Sequence, residues 1–225
     1  QDRLNVLTII DILNKSRIIP VIVIDKVEHA IPLAKTLVNA GFSILEITLR
    51  TACALEAIQK IATGVPSAIV GAGTIINRKQ LAQAKTAGAK FAVSPGLSEQ
   101  LVFGAKEQNL PYLPGIATVS EALSAYELGL THVKFFPAES MGGIKTIAAI
   151  SEVLPTLQFC PTGGVNLINL TNYLKLPSVP CVGGTWIAPR SLIQAESFKE
   201  ITLSANETQK ILNTTPEIKQ ELANH

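Results

Sequence analysis

The sequence predicts a (β/α)8, or TIM-type, barrel preceded by an extra helix. Eight short β-branched runs recur along the 225 residues, with starts ~20–25 residues apart, which leaves room for one strand, one helix and two short loops. The segments between them are rich in Ala and Leu at helical spacing, and several end in Gly. No composition break marks a second domain, so residues 1–225 are expected to form one barrel. An open doubly wound sheet is the main rival, and the even spacing and the count of eight favour closure.

The runs begin at Ile18 (IIPVIVI), Ser43 (SILEITL), Ala68 (AIVGAGT), Lys90 (KFAVSPG), Tyr112 (YLPGIA), His132 (HVKFFPA), Leu157 (LQFCPTGG) and Pro180 (PCVGGTW). The extra helix is expected at Asp2 to Lys15. Between the first two runs, Ala30, Leu33, Ala34, Leu37 and Val38 share one helical face and Gly41 ends the segment. Asn77 is an N-cap candidate for a helix ending at Gly88, and Thr118 to Gly129 repeats the scheme. The polar tail after Phe198 is expected to continue as a final helix with a frayed end.

Hydrophobic residues make up 47% of the chain and charged residues 16%, enough apolar material for a sizeable core. With 19 basic and 17 acidic residues and no basic stripe, nothing points to nucleic acid, while a local site for a small acid stays open. Cys53, Cys160 and Cys181 are odd in number and widely spaced, which argues against a disulfide framework and for a reducing cytoplasm. His29, His132 and His225 form no metal-ligand pattern. The opening QDRLNVLTII has no signal-peptide layout and no initiator Met, so an incomplete N-terminus is expected. Runs such as Ile18 to Ile24 are too short to cross a bilayer.

In such a barrel the C-terminal strand ends and the loops after them build the active site. Strand two offers Glu46, Thr48 and Arg50 at alternate positions, hence on one face, with Leu45, Ile47 and Leu49 on the other. A barrel lumen is normally aliphatic. These three are either a self-neutralising buried pair with a hydroxyl, or a carboxylate for proton transfer beside a guanidinium that grips an anion. Strand three ends in GAGT. Its third glycine position is Ile76 and no helix opens within it, so it is not a dinucleotide fingerprint; close ligand approach with Thr74 supplying a hydroxyl fits better. Strands seven and eight end in PTGG and VGGT, where Gly163, Gly164, Gly183 and Gly184 with Thr162 and Thr185 suit a phosphate at the expected place, although Gly-Gly also makes simple tight turns.

Strand six carries Lys134. If Val133 and Phe135 face one way, Lys134 faces into the barrel. It is either a lysine whose stem packs inside while its charge meets Glu46, or a Schiff-base nucleophile. Lys90 sits at the opposite end of a strand, and Lys35, Lys79, Lys85 and Lys106 fall in helical, solvated segments.

Taken together, LEITLRT, IVGAGT, FAVSPG, LPGIATVSE, VKFFPAE, CPTGGV and GGTW resemble the 2-keto-3-deoxy-6-phosphogluconate (KDPG) and 4-hydroxy-2-oxoglutarate (KHG) aldolase family over nearly the whole chain. The resemblance implies a homotrimeric, cytoplasmic class I aldolase without metal or other cofactor, acting on a phosphorylated 2-keto acid and releasing pyruvate. By position it implies Lys134 as the imine-forming residue and Glu46 as the acid/base. Arg50 and Thr74 would hold the carboxylate, Pro95 and Phe135 the site wall, and Thr162, Gly163, Gly164, Gly184 and Thr185 the phosphate end. Many members have Ser where this chain has Thr185, a change that keeps the hydroxyl. KHG or the phosphogalactonate epimer as main substrate, a sugar-phosphate isomerase or epimerase, a metal-dependent aldolase and a non-catalytic phosphate-binding barrel are the other readings.

Overall fold

In the computed structural model, which describes residues 7–214, parallel strands curl into a closed ring. They are β1 (Ile18–Ile22), β2 (Ile44–Thr48), β3 (Ile69–Gly73), β4 (Ala92–Val93), β5 (Tyr112–Leu113), β6 (Gly115–Ile116), β7 (His132–Phe135), β8 (Gln158–Pro161) and β9 (Val182–Gly184). They form two arcs, β5-β4-β3-β2-β1-β9 and β6-β7-β8. At one seam Pro114 divides a single strand into β5 and β6. Proline has no N–H for the ladder, but its carbonyl accepts from the Lys134 N–H at 2.8 Å. At the other seam a parallel bridge joins Thr162 to Gly183. The eight runs read from the sequence are therefore the eight staves of the ring.

A helix follows each stave: α2 (Ala30–Asn39), α3 (Ala54–Gly64), α4 (Arg78–Thr86), α5 (Glu99–Glu107), α6 (Val119–Glu127), α7 (Gly143–Val153), α8 (Leu170–Leu174) and α9 (Arg190–Gln194), with α10 (Phe198–Thr214) last. Their ends follow the expected chemistry. The Asn77 side chain accepts from the Gln80 N–H, and Thr118 forms a reciprocal capping box with Glu121. Gly41, Gly88 and Gly129 take positive φ just past α2, α4 and α6, the left-handed exit that only Gly adopts freely. Among the described residues no helix is long and apolar enough to cross a membrane.

Two apolar layers hold the ring. Outward-facing Leu45, Ile47, Val133 and Phe135 belong to the layer beneath the helices. Inward-facing Ile19, Ile44, Phe91, Val93, Leu113, Cys160 and Cys181 fill the lower lumen, joined by Ile12 and Leu13 of α1 (Ile9–Lys15). The extra helix thus closes the N-terminal mouth, and each of its two buried side chains contributes roughly 1.5–3 kcal/mol. Its first turn is fixed by a capping box between Thr8 and Asp11, so it starts at Ile9. The expected start at Asp2, like the expected fraying beyond α10, lies outside the described residues.

Candidate active site

The lumen changes character toward the C-terminal strand ends. On β2 the inward positions after Ile44 are Glu46 and Thr48; on β7 the inward position is Lys134. All three are buried, Glu46 with 4% and Lys134 with 6% of its surface exposed. β2 and β7 stand opposite each other in the ring, yet the Lys134 Nζ lies 3.6 Å from the Glu46 Oε1. That is ion-pair distance rather than hydrogen-bond distance, and the same Oε1 has no hydrogen-bond partner among the described residues. Gly73 makes room for it: a Cβ there would sit 2.1 Å from Oε1. Lys134 Nζ also lies 5.1 Å from the centre of the Phe136 ring, within the range of a cation–π contact.

Above this pair opens a cavity of about 200 Å³, walled by Arg50, Thr74, Pro95, Thr162, Gly163 and Thr185 together with Val21, Thr48 and Phe136, and floored by Lys134. It is smaller than the ~300–1,000 Å³ of drug-sized sites and suits a short-chain metabolite. Arg50 lies just past β2, where its Nε–H donates to the Thr48 Oγ1 at 3.2 Å. Thr74 follows β3 directly with φ of +59°. A β-branched residue in that region stores strain, of order 1–3 kcal/mol, and such strain clusters at working sites. Pro95 is set by its neighbours. The Ser94 hydroxyl donates to the Gly96 carbonyl at 2.7 Å, so the Tyr112 hydroxyl, 2.6 Å away, is the donor to Ser94. Burial pushes the Tyr112 phenol up to about 12.

At the far end of the cavity, Gly163 and Gly164 have φ of +99° and +82°, a conformation that turns the chain sharply after β8. The Ala138 and Glu139 N–H groups donate to the Thr162 and Gly163 carbonyls at 2.8 and 3.0 Å, tying the β7 loop to this turn. The buried Tyr173 hydroxyl donates to Glu139 on the same loop.

The structure brings together most of the residues singled out in the sequence. Phe135 is a correction. It packs under the helices, because strand alternation that turns Lys134 inward must turn Phe135 outward; Phe136 walls the cavity instead. Gly164 and Gly184 adjoin the cavity through Gly163 and Thr185 without lining it. The second Gly-Gly pair is also not a loop dipeptide. Gly183 and Gly184 end β9, and Cβ atoms there would meet Thr162 Oγ1 at 2.2 Å and the Trp186 ring at 2.4 Å. Val21 and Phe136 also line the cavity and are absent from the sequence reading, while Thr48, which that reading places on one face with Glu46 and Arg50, has no role of its own in it. Alternation counted from Lys134 carries the signal for Phe136.

Among the described residues no group of three or more His, Cys, Asp or Glu side chains is placed to hold a metal. The cysteines are free, with Cys160 and Cys181 3.5 Å apart in the lower lumen.

The family model described as KDPG and KHG aldolase matches residues 9–204. A 2-dehydro-3-deoxy-phosphogluconate aldolase of Dickeya dadantii (strain 3937) is 51% identical over 196 residues, 87% of this chain and 92% of that one. A KDPG aldolase structure from Legionella pneumophila, with pyruvate captured as a covalent carbinolamine intermediate, superposes with a TM-score of 0.87 at 41% identity, over 89% of this chain and 98% of that one. The Zymomonas mobilis ZM4 enzyme with 3-phosphoglycerate gives 0.82 at 41% identity, over 88% and 93%. With the match spanning nearly the whole barrel and half the residues identical, this chain belongs to the KDPG and KHG aldolase family.

Proposed function

We propose that this chain is a class I aldolase that cleaves 2-dehydro-3-deoxy-6-phosphogluconate to pyruvate and glyceraldehyde 3-phosphate. The observation that carries this reading is the buried Glu46–Lys134 contact at 3.6 Å beneath a cavity that Arg50 also walls. An amine, a proton carrier and an anion clamp are what imine chemistry on a 2-keto acid requires.

In this reading Arg50 and Thr74 hold the substrate carboxylate, which sets the C2 ketone over Lys134 Nζ. The amine attacks C2 and the carbinolamine loses water to give an iminium. Glu46 takes the C4 hydroxyl proton, the C3–C4 bond breaks, and its electron pair enters the iminium to give an enamine. Glyceraldehyde 3-phosphate leaves from the Thr162, Gly163 and Thr185 end, where Gly164 and Gly184 shape the adjoining backbone. Glu46 returns a proton to C3 and water releases pyruvate. Phe136 and Pro95 keep the reacting centre apolar. Cleavage of 4-hydroxy-2-oxoglutarate to pyruvate and glyoxylate uses the same groups and leaves the phosphate end unused.

Three free cysteines support a reducing compartment such as the cytoplasm. The homotrimer implied by the family resemblance has a surface available: Val119, Leu123 and Tyr126 form an exposed apolar stripe on one face of α6. A light-scattering mass of three chains is expected.

The decisive test is borohydride trapping with pyruvate. One three-carbon adduct per chain, on Lys134, is expected. No adduct, or an adduct on another lysine, overturns the reading. Steady-state kinetics with each purified keto acid then rank the substrates; a clear preference for the unphosphorylated acid overturns the first choice.

A further inference from the structure

The site contains one hydroxyl for which the imine chemistry has no task. Thr48 is 1% exposed, walls the cavity and faces the lumen between Glu46 and Arg50. Its Oγ1 donates across the barrel wall to the Ile22 carbonyl at 3.0 Å. With its single proton committed there, the oxygen has only lone pairs left to offer, and one of them accepts the Arg50 Nε–H at 3.2 Å. The chain of bonds runs from the rigid β1 backbone, through a buried hydroxyl, to the inner edge of the guanidinium.

We propose that Thr48 is the positioning residue for Arg50, an inference that rests on the aldolase reading above. Three facts support it. Arg50 sits in the turn beyond β2, where the backbone alone does not hold a long side chain. No carboxylate among the described residues pairs with it, so its charge remains open to an anionic ligand. A guanidinium bonded through Nε still presents both Nη groups, and these form the planar fork that grips a carboxylate bidentately. Thr48 therefore selects the orientation in which the fork faces the cavity, before the 2-keto acid arrives. A hydroxyl that only satisfied Ile22 would have no need to meet Arg50.

The test uses pyruvate and borohydride with Thr48→Val, which keeps the branched shape and removes the hydroxyl. Lys134 is untouched, so an adduct still forms at saturating pyruvate in every variant if the aldolase reading holds; its absence from the unaltered protein would be a failure of that reading alone. For Thr48→Val, half-maximal trapping should need about tenfold more pyruvate, with the limiting rate within about twofold of the unaltered protein. Thr48→Ser should restore the original dependence. In an Arg50→Ala background, Thr48→Val should shift half-saturation by less than about twofold, since neighbours acting through one another do not add. If Thr48→Val fails to fold, Thr48→Ala takes its place in the same cycle. An unchanged pyruvate dependence, an equal shift with and without Arg50, or a loss confined to the limiting rate overturns the proposal.

Discussion

Lys134 and Glu46 meet at 3.6 Å across the full width of the barrel, one from β7 and one from β2, with three staves between them on either side. Both side chains are almost wholly buried, and the cavity that Lys134 floors is the opening above them. A pair so placed is expensive to desolvate and is a poor device for stability. Its energetics and its chemistry can be separated by mutation.

Glu46→Gln keeps the shape and removes the proton carrier. Turnover should fall by ~10²–10⁴-fold, the usual worth of a positioned acid/base, while borohydride still captures pyruvate on Lys134, more slowly. Turnover equal to the unaltered protein would remove Glu46 from the reaction.

Lys134→Met leaves the Glu46 carboxylate buried without its cation, at a cost of roughly 3–5 kcal/mol. Adding Glu46→Gln removes the orphaned charge. The double variant should be inactive yet as stable as the unaltered protein, or more stable by up to ~4 kcal/mol. Urea unfolding of the three proteins checks this; a double variant less stable than Lys134→Met would show that the pair holds the barrel together.

Gly73→Ala tests whether Glu46 needs the space it occupies. The added methyl would lie 2.1 Å from Oε1 and 2.8 Å from the carboxylate carbon, so the side chain must move. Stability should drop by ~1–3 kcal/mol. A carboxylate displaced by about 1 Å should lose on the order of 10²-fold in turnover. Measured kcat near normal with a folded barrel would mean that Glu46 acts from elsewhere.

Tyr112 predicts a signature at alkaline pH. Folded, it keeps its proton up to about 12, against an ordinary value of 10.0. Between those values only the unfolded chain has lost the proton, so stability falls as pH rises through this window and is fully present below it. Two pKa units correspond to about 3 kcal/mol. Urea unfolding from pH 9 to 12 should fall less steeply for Tyr112→Phe; identical slopes would show that the phenol is not held as described.

The sequence displayed some of this directly. Period-two alternation on β2 put Glu46 and Thr48 on one face, because a strand admits no other arrangement. Asn77, Thr118, Gly41 and Gly88 marked helix ends through local bonds that need nothing distant. The same alternation, counted from Lys134, turns Phe135 outward and leaves Phe136 for the cavity wall, but the expectation of Phe135 there followed the family resemblance and not this parity.

Other features had no local trace. Gly183 and Gly184 end the eighth run as expected, but what excludes side chains there, Thr162 from the neighbouring stave and the Trp186 ring, is not visible in the run itself. The strain at Thr74 depends on a backbone angle that its residue type would normally avoid. The bond from Thr48 to Ile22 crosses 26 residues of chain.

Taken alone, the sequence determined the eight staves and the inward face of the second and sixth, with the residue types placed there, because periodicity and capping are short-range physics. Only the tertiary structure decided which of those residues meet. Closure of the ring turns the largest separation along the sheet into the shortest one across the lumen, and that is what brings the carboxylate of Glu46 to the amine of Lys134.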